Sequence, residues 1–144
     1  LLGIAVKLPP LKKFFGELIA PVLGKFQLEN EINPEVLSHD PEVVERYRTD
    51  RLVHNKITPR LFTEMTKEMD WVRSCTGPTG AQKFLFLLPL EDKLVDSSVA
   101  RGFYDGLKSR YKFLKEFPGY YHEVLNEKDN AEVFNEVKKW LKQT

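Results

Sequence analysis

The chain has little cysteine, no long apolar run and no excess of one charge. The single Cys75 excludes an internal disulfide and a cysteine-rich metal site. No stretch approaches the roughly 20 apolar residues that a transmembrane helix needs. Lys and Arg number 22 and Asp and Glu number 21, and the basic residues are scattered. Nothing therefore indicates a nucleic-acid surface, and no nucleic-acid partner is expected.

What is present is ordinary for a globular domain. The 144 residues are 42% hydrophobic and 30% charged, which is enough apolar material for a core. The first residues read Leu-Leu-Gly-Ile-Ala-Val, without an initiating Met, and resemble the interior of a protein. We therefore expect further residues of the same protein upstream of Leu1.

An amphipathic helix is predicted near the start of the chain. Apolar residues recur at spacings of three and four between Leu11 and Leu23, as they do on one face of a surface helix. Two interpretations are open for this face. It either packs on a neighbouring core or forms a movable lid over an apolar pocket.

Two further helix starts follow in the first half. Asp40-Pro41 and Thr58-Pro59 each combine an N-cap residue with a proline at the first helical position. The stretch at 26–40 has no clear period and predicts a connecting loop. The short apolar stretch Leu1–Val6 is open to interpretation as the end of a strand, and from Pro9 onward the first half is expected to be helical.

The pattern changes after the glycine- and proline-rich stretch in the middle of the chain. The unbroken apolar run Phe84–Leu88 predicts a buried strand that Pro89 ends. A helix capped by Ser97 or Ser98 follows, then a second strand at Tyr111–Phe117 and a final helix. This β-α-β-α order predicts an α/β fold with two parallel neighbouring strands. Two strands make too small a sheet, so the chain is expected to be part of a larger fold.

Acidic and imidazole side chains follow the two predicted strands. Glu91 and Asp92 are the first charges after the first strand, and His122 follows the second. Because parallel strands end at the same edge of a sheet, Asp92 and His122 are expected close enough for the carboxylate to bind the imidazole Nδ1–H. Such a pair fixes a histidine for general-base catalysis. The alternative interpretation is an ordinary surface acid and a loop histidine.

The sequence shows no nucleophile for this pair. None of the five serines lies in a Gly-x-Ser-x-Gly turn, and Ser97 and Ser98 are better explained as helix caps. His39 and His54 are weaker catalytic candidates because no strand precedes them. No two His or Cys residues stand at metal-ligand spacing and no phosphate-binding glycine loop is present, so no cofactor is expected.

Four stretches carry a family resemblance. They read Leu-Ser-His-Asp-Pro-Glu-Val-Val-Glu-Arg-Tyr, Asp-Arg-Leu-Val-His-Asn-Lys-Ile-Thr, Glu-Asp-Lys-Leu-Val-Asp and Phe-Pro-Gly-Tyr-Tyr-His-Glu-Val-Leu-Asn-Glu. In this order and spacing the chain resembles the α/β-hydrolase family of monoacylglycerol lipases and bacterial lysophospholipases. The resemblance implies that residues 1–76 form the cap, or lid, and its return to the core. Residues 77–144 would supply the C-terminal β-α-β-α part of the hydrolase core.

The resemblance also implies an activity and a set of site residues. The expected enzyme is a carboxylic ester hydrolase that acts on monoacylglycerols or lysophospholipids through a Ser-His-Asp triad. Asp92 matches the triad acid and His122 the triad histidine, while the nucleophilic serine would lie upstream of Leu1. The residues implied in substrate binding lie beside the acid and on the cap; they are Leu94, Val95, Leu11, Phe14, Phe15 and Leu18.

The implied partners are a small lipid ester and the N-terminal part of the same fold. The cap is expected to make transient contact with a membrane surface, and a cytoplasmic location is expected. The chain by itself is expected to be incomplete and inactive.

Two positions depart from the family pattern. Pro89 stands where the family usually has Gly three residues before the acid, and Arg51 stands where Pro is common. Because proline cannot adopt a positive φ, the turn that carries Asp92 is open to displacement. One alternative is therefore a catalytically inactive relative that serves as a lipid-binding or interaction module. Another is an enzyme with an aspartate nucleophile, as in the haloalkane and epoxide chemistry found on this fold.

Overall fold

The computed structural model describes residues 23–30, 32–77 and 81–143 of the chain. The amphipathic helix predicted between Leu11 and Leu23 lies, apart from its last residue, outside the described residues. The stretch Leu1–Val6 lies outside them as well, and so do the proposed cap residues Leu11, Phe14, Phe15 and Leu18. The division of the chain at residue 76 stays a prediction.

The described elements alternate helices with short strands. In chain order they are β1 (Leu28–Glu29), α1 (Pro41–Thr49), β2 (Lys56–Ile57), α2 (Pro59–Ser74), β3 (Phe84–Pro89), α3 (Ser97–Gly106), β4 (Lys112–Phe117) and α4 (Ala131–Lys142). Single 3-10 turns lie at Pro34–Val36 and Val124–Asn126. The β-α-β-α order predicted for the second half is confirmed.

The helix starts of α1 and α2 are those that the sequence predicts. The Asp40 side chain accepts a hydrogen bond from the Glu42 backbone N–H at 2.9 Å, and the Thr58 side chain accepts one from Leu61 at 3.1 Å. Each bond satisfies a backbone donor that the first turn leaves without an intrahelical partner. In both helices a proline follows the cap.

The cap of α3 differs from the prediction. The helix begins at Ser97, and its N-cap is Asp96, whose carboxylate accepts the Ser98 backbone N–H at 2.9 Å. Ser97 donates its hydroxyl to the Pro89 carbonyl oxygen instead. Asp and Ser are about equally good N-cap residues. Because Asp96 precedes Ser97 by one residue and serves as the cap, the helix begins at Ser97.

The central sheet pairs β3 with β4 in parallel, as predicted, in a register that runs from Phe84 opposite Lys112 to Pro89 opposite Phe117. Pro89 is the last residue of β3, so the predicted end of the strand is confirmed. The Leu90 backbone N–H donates to the Phe117 carbonyl at 3.1 Å, one position beyond the proline. In a parallel ladder alternate N–H groups face the same neighbour, and the missing N–H of Pro89 falls on the side away from β4.

The first half also contains a strand pair that the sequence did not predict. β1 and β2 pair antiparallel, with Leu28 opposite Ile57 and Glu29 opposite Lys56. The Asn30 N–H adds a bond to the Asn55 carbonyl at 2.8 Å. The expectation of a helical first half from Pro9 onward was therefore wrong. Strands of two residues are too short to show the alternation that identifies a strand.

The main core lies between the end of β4 and the start of α4. Phe117 and Val133 expose 1% and 0% of their surface, and Val124 packs with them. Leu87 of β3 and Tyr120 lie against this cluster. The core thus anchors both ends of the segment that carries His122.

Phe117→Ala should lower the free energy of unfolding by about 3–5 kcal/mol, because it leaves a cavity in a fully buried site. Phe113→Ala on the same strand is the matched control, since Phe113 is 41% exposed; it should cost less than about 1.5 kcal/mol. Chemical denaturation of the two variants measures both values. Equal losses would contradict the difference in burial.

Candidate active site

The candidate site is built at the edge where β3 and β4 both end. Asp92 lies three residues after Pro89, and His122 lies five residues after Phe117. The Glu91 backbone N–H donates to the Tyr120 carbonyl at 3.1 Å and so joins the two loops directly. The site therefore rests on backbone hydrogen bonds that extend the sheet beyond its last strand residues.

Asp92 is held by three hydrogen bonds. Its Oδ1 accepts the backbone N–H groups of Leu94 at 2.8 Å and Val95 at 2.9 Å. Its Oδ2 lies 2.8 Å from Nδ1 of His122. The carboxylate side chain is 4% exposed, and the imidazole is 30% exposed. The predicted contact between Asp92 and His122 is confirmed, and Pro89 does not displace the acid from it.

The two groups shift each other's protonation. Burial acts to raise the pKa of Asp92, but the hydrogen bonds from His122, Val95 and Leu94 outweigh it and hold that pKa below its usual value. The hydrogen bond that His122 donates to Asp92 raises the pKa of His122, with burial opposing. Both shifts favour an ionised aspartate facing a protonated imidazole. No described residue is hydrogen-bonded to Nε2 of His122.

Leu94 and Val95 are the residues beside the acid that were predicted to bind substrate. Val95 is buried and Leu94 is half-buried, and both backbone amides face Asp92. Asp92 itself lines a cleft of about 440 Å³ together with Leu88 and Leu90, whereas Leu94 and Val95 are not among the described residues that line it. The role of Leu94 and Val95 in substrate binding stays a prediction.

A second histidine–carboxylate pair is bonded to the loop that carries His122. Nδ1 of His39 is 3.0 Å from Oε1 of Glu127, whose side chain is 4% exposed. The His39 ring stacks on Tyr121, with 3.7 Å between ring centroids. In the sequence His39 is a weaker catalytic candidate because no strand precedes it, and nothing there singles out Glu127. No local signal joins them, because 88 residues separate them along the chain.

The remaining candidates are accounted for by local contacts. His54 is exposed, and its Nδ1 accepts the Lys56 backbone N–H at 3.2 Å. Cys75 is a free, exposed thiol. The Ser98 hydroxyl donates to Asp96. None of these groups takes part in the pair formed by Asp92 and His122.

Two absences apply to residues 23–30, 32–77 and 81–143. In these ranges no group of three or more His, Cys, Asp or Glu side chains is arranged to hold a metal ion. Within the same ranges, no helix combines the length and the apolar character needed to cross a bilayer.

The fold and the order of the paired residues define a class of protein. In α/β hydrolases the triad acid precedes the histidine along the chain, as Asp92 precedes His122. The crystal structure of Paleococcus ferrophilus monoacylglycerol lipase matches with a TM-score of 0.88 at 25% identity, over 97% of this chain and 55% of that chain. The structure is therefore that of the C-terminal part of an α/β hydrolase, as predicted.

Sequence comparison defines the family within that class. The family model described as Serine aminopeptidase, S33, matches residues 1–129, so the chain belongs to this hydrolase family. A monoacylglycerol lipase of Mycolicibacterium smegmatis is 31% identical over 132 residues, which is 85% of this chain and 45% of that protein. Phospholipase YtpA of Bacillus subtilis is 24% identical over 145 residues, which is 99% of this chain and 55% of that protein. The chain spans about half the length of these two relatives.

Asp92→Asn should lower the pKa of His122 toward its ordinary value, because the neutral amide gives up the charge that favours the imidazolium. With a raised pKa, protonated His122 stabilises the fold below its ordinary pKa, and this contribution is lost as the pH rises through the raised value. In the variant that loss should be smaller and should occur at lower pH. NMR titration of the imidazole and unfolding at a series of pH values measure both effects. Asp105→Asn, at an exposed position, is the control, and an equal shift there would contradict the assignment.

Proposed function

We propose that the protein to which this chain belongs is a carboxylic ester hydrolase that acts on monoacylglycerols or lysophospholipids. The observation that carries the proposal is the 2.8 Å contact between Asp92 Oδ2 and His122 Nδ1 at the carboxyl edge of the parallel strands. The family supports it, and so do the names of the relatives, a monoacylglycerol lipase and a phospholipase. The nucleophilic serine is proposed to lie in the part of the fold upstream of Leu1.

In the proposed mechanism Asp92 fixes the imidazole so that Nε2 is the basic nitrogen. Nε2 takes the proton from the serine hydroxyl as the serine oxygen attacks the ester carbonyl carbon. The same proton passes to the leaving alcohol oxygen when the ester C–O bond breaks and the acyl-enzyme forms. Water then attacks the acyl carbon with His122 again as base, which releases the fatty acid and restores the serine. Asp92 stabilises the imidazolium formed in each half of the reaction.

The partners are part of the same proposal. The lipid ester would lie against Leu94 and Val95 on the acid side and against the cap residues; these are Leu11, Phe14, Phe15 and Leu18. The N-terminal part of the fold would supply the serine and its oxyanion donors. The cap would make transient contact with a membrane surface, and the enzyme would act in the cytoplasm.

One argument for the alternative of an inactive lipid-binding module is an acid that Pro89 displaces. The contact between Asp92 and His122 argues against that alternative, since the carboxylate is within hydrogen-bond distance of the imidazole. An aspartate nucleophile in the upstream part would use the same pair, and labelling of the nucleophile distinguishes it from a serine.

His122→Ala in the full-length gene product should lower kcat for short p-nitrophenyl esters by at least about 10³-fold, because the base and acid of the reaction are removed. The matched control is His54→Ala, an exposed histidine outside the site, which should keep wild-type activity. Initial rates with both variants measure the effect. Retained activity in His122→Ala would exclude the proposed mechanism.

Residues 1–144 expressed by themselves should show no ester hydrolysis, while the full-length protein should react with a fluorophosphonate probe at a serine. The physical reason is that the histidine and aspartate have no nucleophile to activate in this chain. Probe labelling with mass spectrometry of the modified peptide checks both parts. A full-length protein that stays unlabelled and retains a bound fatty acid would support the lipid-binding module instead.

A further inference from the structure

The loop between β4 and α4 carries His122 and is tied to a distant segment by the side chain of Glu127. Oε1 of Glu127 accepts the Tyr121 backbone N–H at 2.8 Å and lies 3.0 Å from Nδ1 of His39. Oε2 accepts the His39 backbone N–H at 2.9 Å. The carboxylate thus bonds the residue immediately before His122 and also the segment that precedes α1.

The Ser38 hydroxyl completes this cluster. Ser38 is 2% exposed, and its hydroxyl donates to the Asn126 carbonyl at 2.8 Å, with Oε2 of Glu127 at 3.4 Å. A nearby backbone bond runs from Glu123 to the Leu37 carbonyl at 2.9 Å. Of the two residues that flank His122, Tyr121 is therefore hydrogen-bonded to Glu127 and Glu123 to the segment at 37–39.

A row of contacts leads from this cluster to the loop that carries the acid. The Tyr121 ring stacks on His39, while Nζ of Lys93 lies 4.6 Å from the Tyr121 ring centre and donates to its hydroxyl at 3.1 Å. Lys93 follows Asp92 directly in the chain. Tyr121, the residue before His122, therefore contacts both His39 and Lys93, the residue after Asp92.

We propose that Glu127 is a positioning residue that holds the backbone at Tyr121 so that His122 keeps its contact with Asp92. The inference deepens the proposed hydrolase function and, for its kinetic consequence, rests on it. A carboxylate is required because both of its oxygens must accept hydrogen bonds. In Glu127→Gln one oxygen becomes an NH₂ group, so whichever way the amide faces, it meets the backbone N–H of Tyr121 or of His39 with a donor instead of an acceptor.

The ionised form of Glu127 fits this role. Burial acts to raise the pKa of Glu127, but the N–H groups of Tyr121 and His39 and the His39 ring outweigh it and hold that pKa below its usual value. A buried carboxylate is stable only with such partners, so the bonds to Tyr121 and His39 are mutually dependent.

The test compares Glu127→Gln with Glu132→Gln in the full-length protein. Glu132 is an exposed carboxylate at the start of α4 and serves as the matched control. In Glu127→Gln the contact between His122 and Asp92 should weaken, which should lower the pKa of His122 in an NMR titration. The value of kcat should fall by about 10- to 100-fold with KM within about twofold, because a small misplacement of a catalytic group costs rate rather than binding. Glu132→Gln should change none of these values.

A Glu127→Gln protein with lower thermal stability but an unchanged His122 titration and unchanged kcat would overturn the proposal, since Glu127 would then be only structural. The NMR measurement does not require activity. If the full-length wild-type protein hydrolyses no ester, the proposed function fails, while a shifted His122 titration in Glu127→Gln still supports the positioning role.

His39→Phe provides the second variant if Glu127→Gln does not fold. The phenyl ring keeps the stack on Tyr121, and the His39 backbone bond to Glu127 remains, so only the bond from Nδ1 is lost. The His122 titration and kcat should move in the same direction as for Glu127→Gln, by a smaller amount. Unchanged values in a folded His39→Phe protein would overturn the proposal.

Discussion

The hydrogen-bonded register of β3 and β4 is the constraint on which the candidate site depends. It places Pro89 opposite Phe117, and the bonds from Leu90 and Glu91 continue the pairing into both loops. Because the strands are parallel, both loops leave from the same edge of the sheet. A shift by one residue would move one loop by about 3.3 Å, which is enough to break the contact between Asp92 and His122.

Two nearly buried carboxylates, Asp92 and Glu127, stabilise what this register brings together. Each accepts two backbone N–H groups and the Nδ1 of one histidine. A buried carboxylate is costly unless its oxygens are hydrogen-bonded, so each one favours a single arrangement of the surrounding loop. The Asp92 cluster orders the turn after β3. The Glu127 cluster joins the loop after β4 to the segment before α1.

The core supports these clusters but does not reach far beyond them. Phe117 and Val133 are fully buried, whereas Phe134 and Leu141 on α4 are exposed, as is Trp71 on α2. Such exposed apolar residues agree with a chain that spans about half the length of its relatives. They also explain why the apolar pattern of a helix in this chain is a poor guide to which residues are buried in it.

Local signals in the sequence determined the helix starts at Asp40-Pro41 and Thr58-Pro59, because an N-cap residue and the proline after it lie next to each other in the chain. Local signals also determined the parallel pairing of two strands, because each apolar run spans only a few residues. The position of Asp92 and His122 at one edge also followed from the order of strands, and the family resemblance selected Asp92 over Glu91. The two-residue strands and the cap at Asp96 did not follow, since short elements leave no period and Asp competes with Ser as a cap. Only the tertiary structure decided that Glu127 bonds His39 and Tyr121, because the segment with His39 and the loop with Glu127 are far apart in the chain. No local sequence pattern predicts which backbone N–H groups a buried carboxylate will accept.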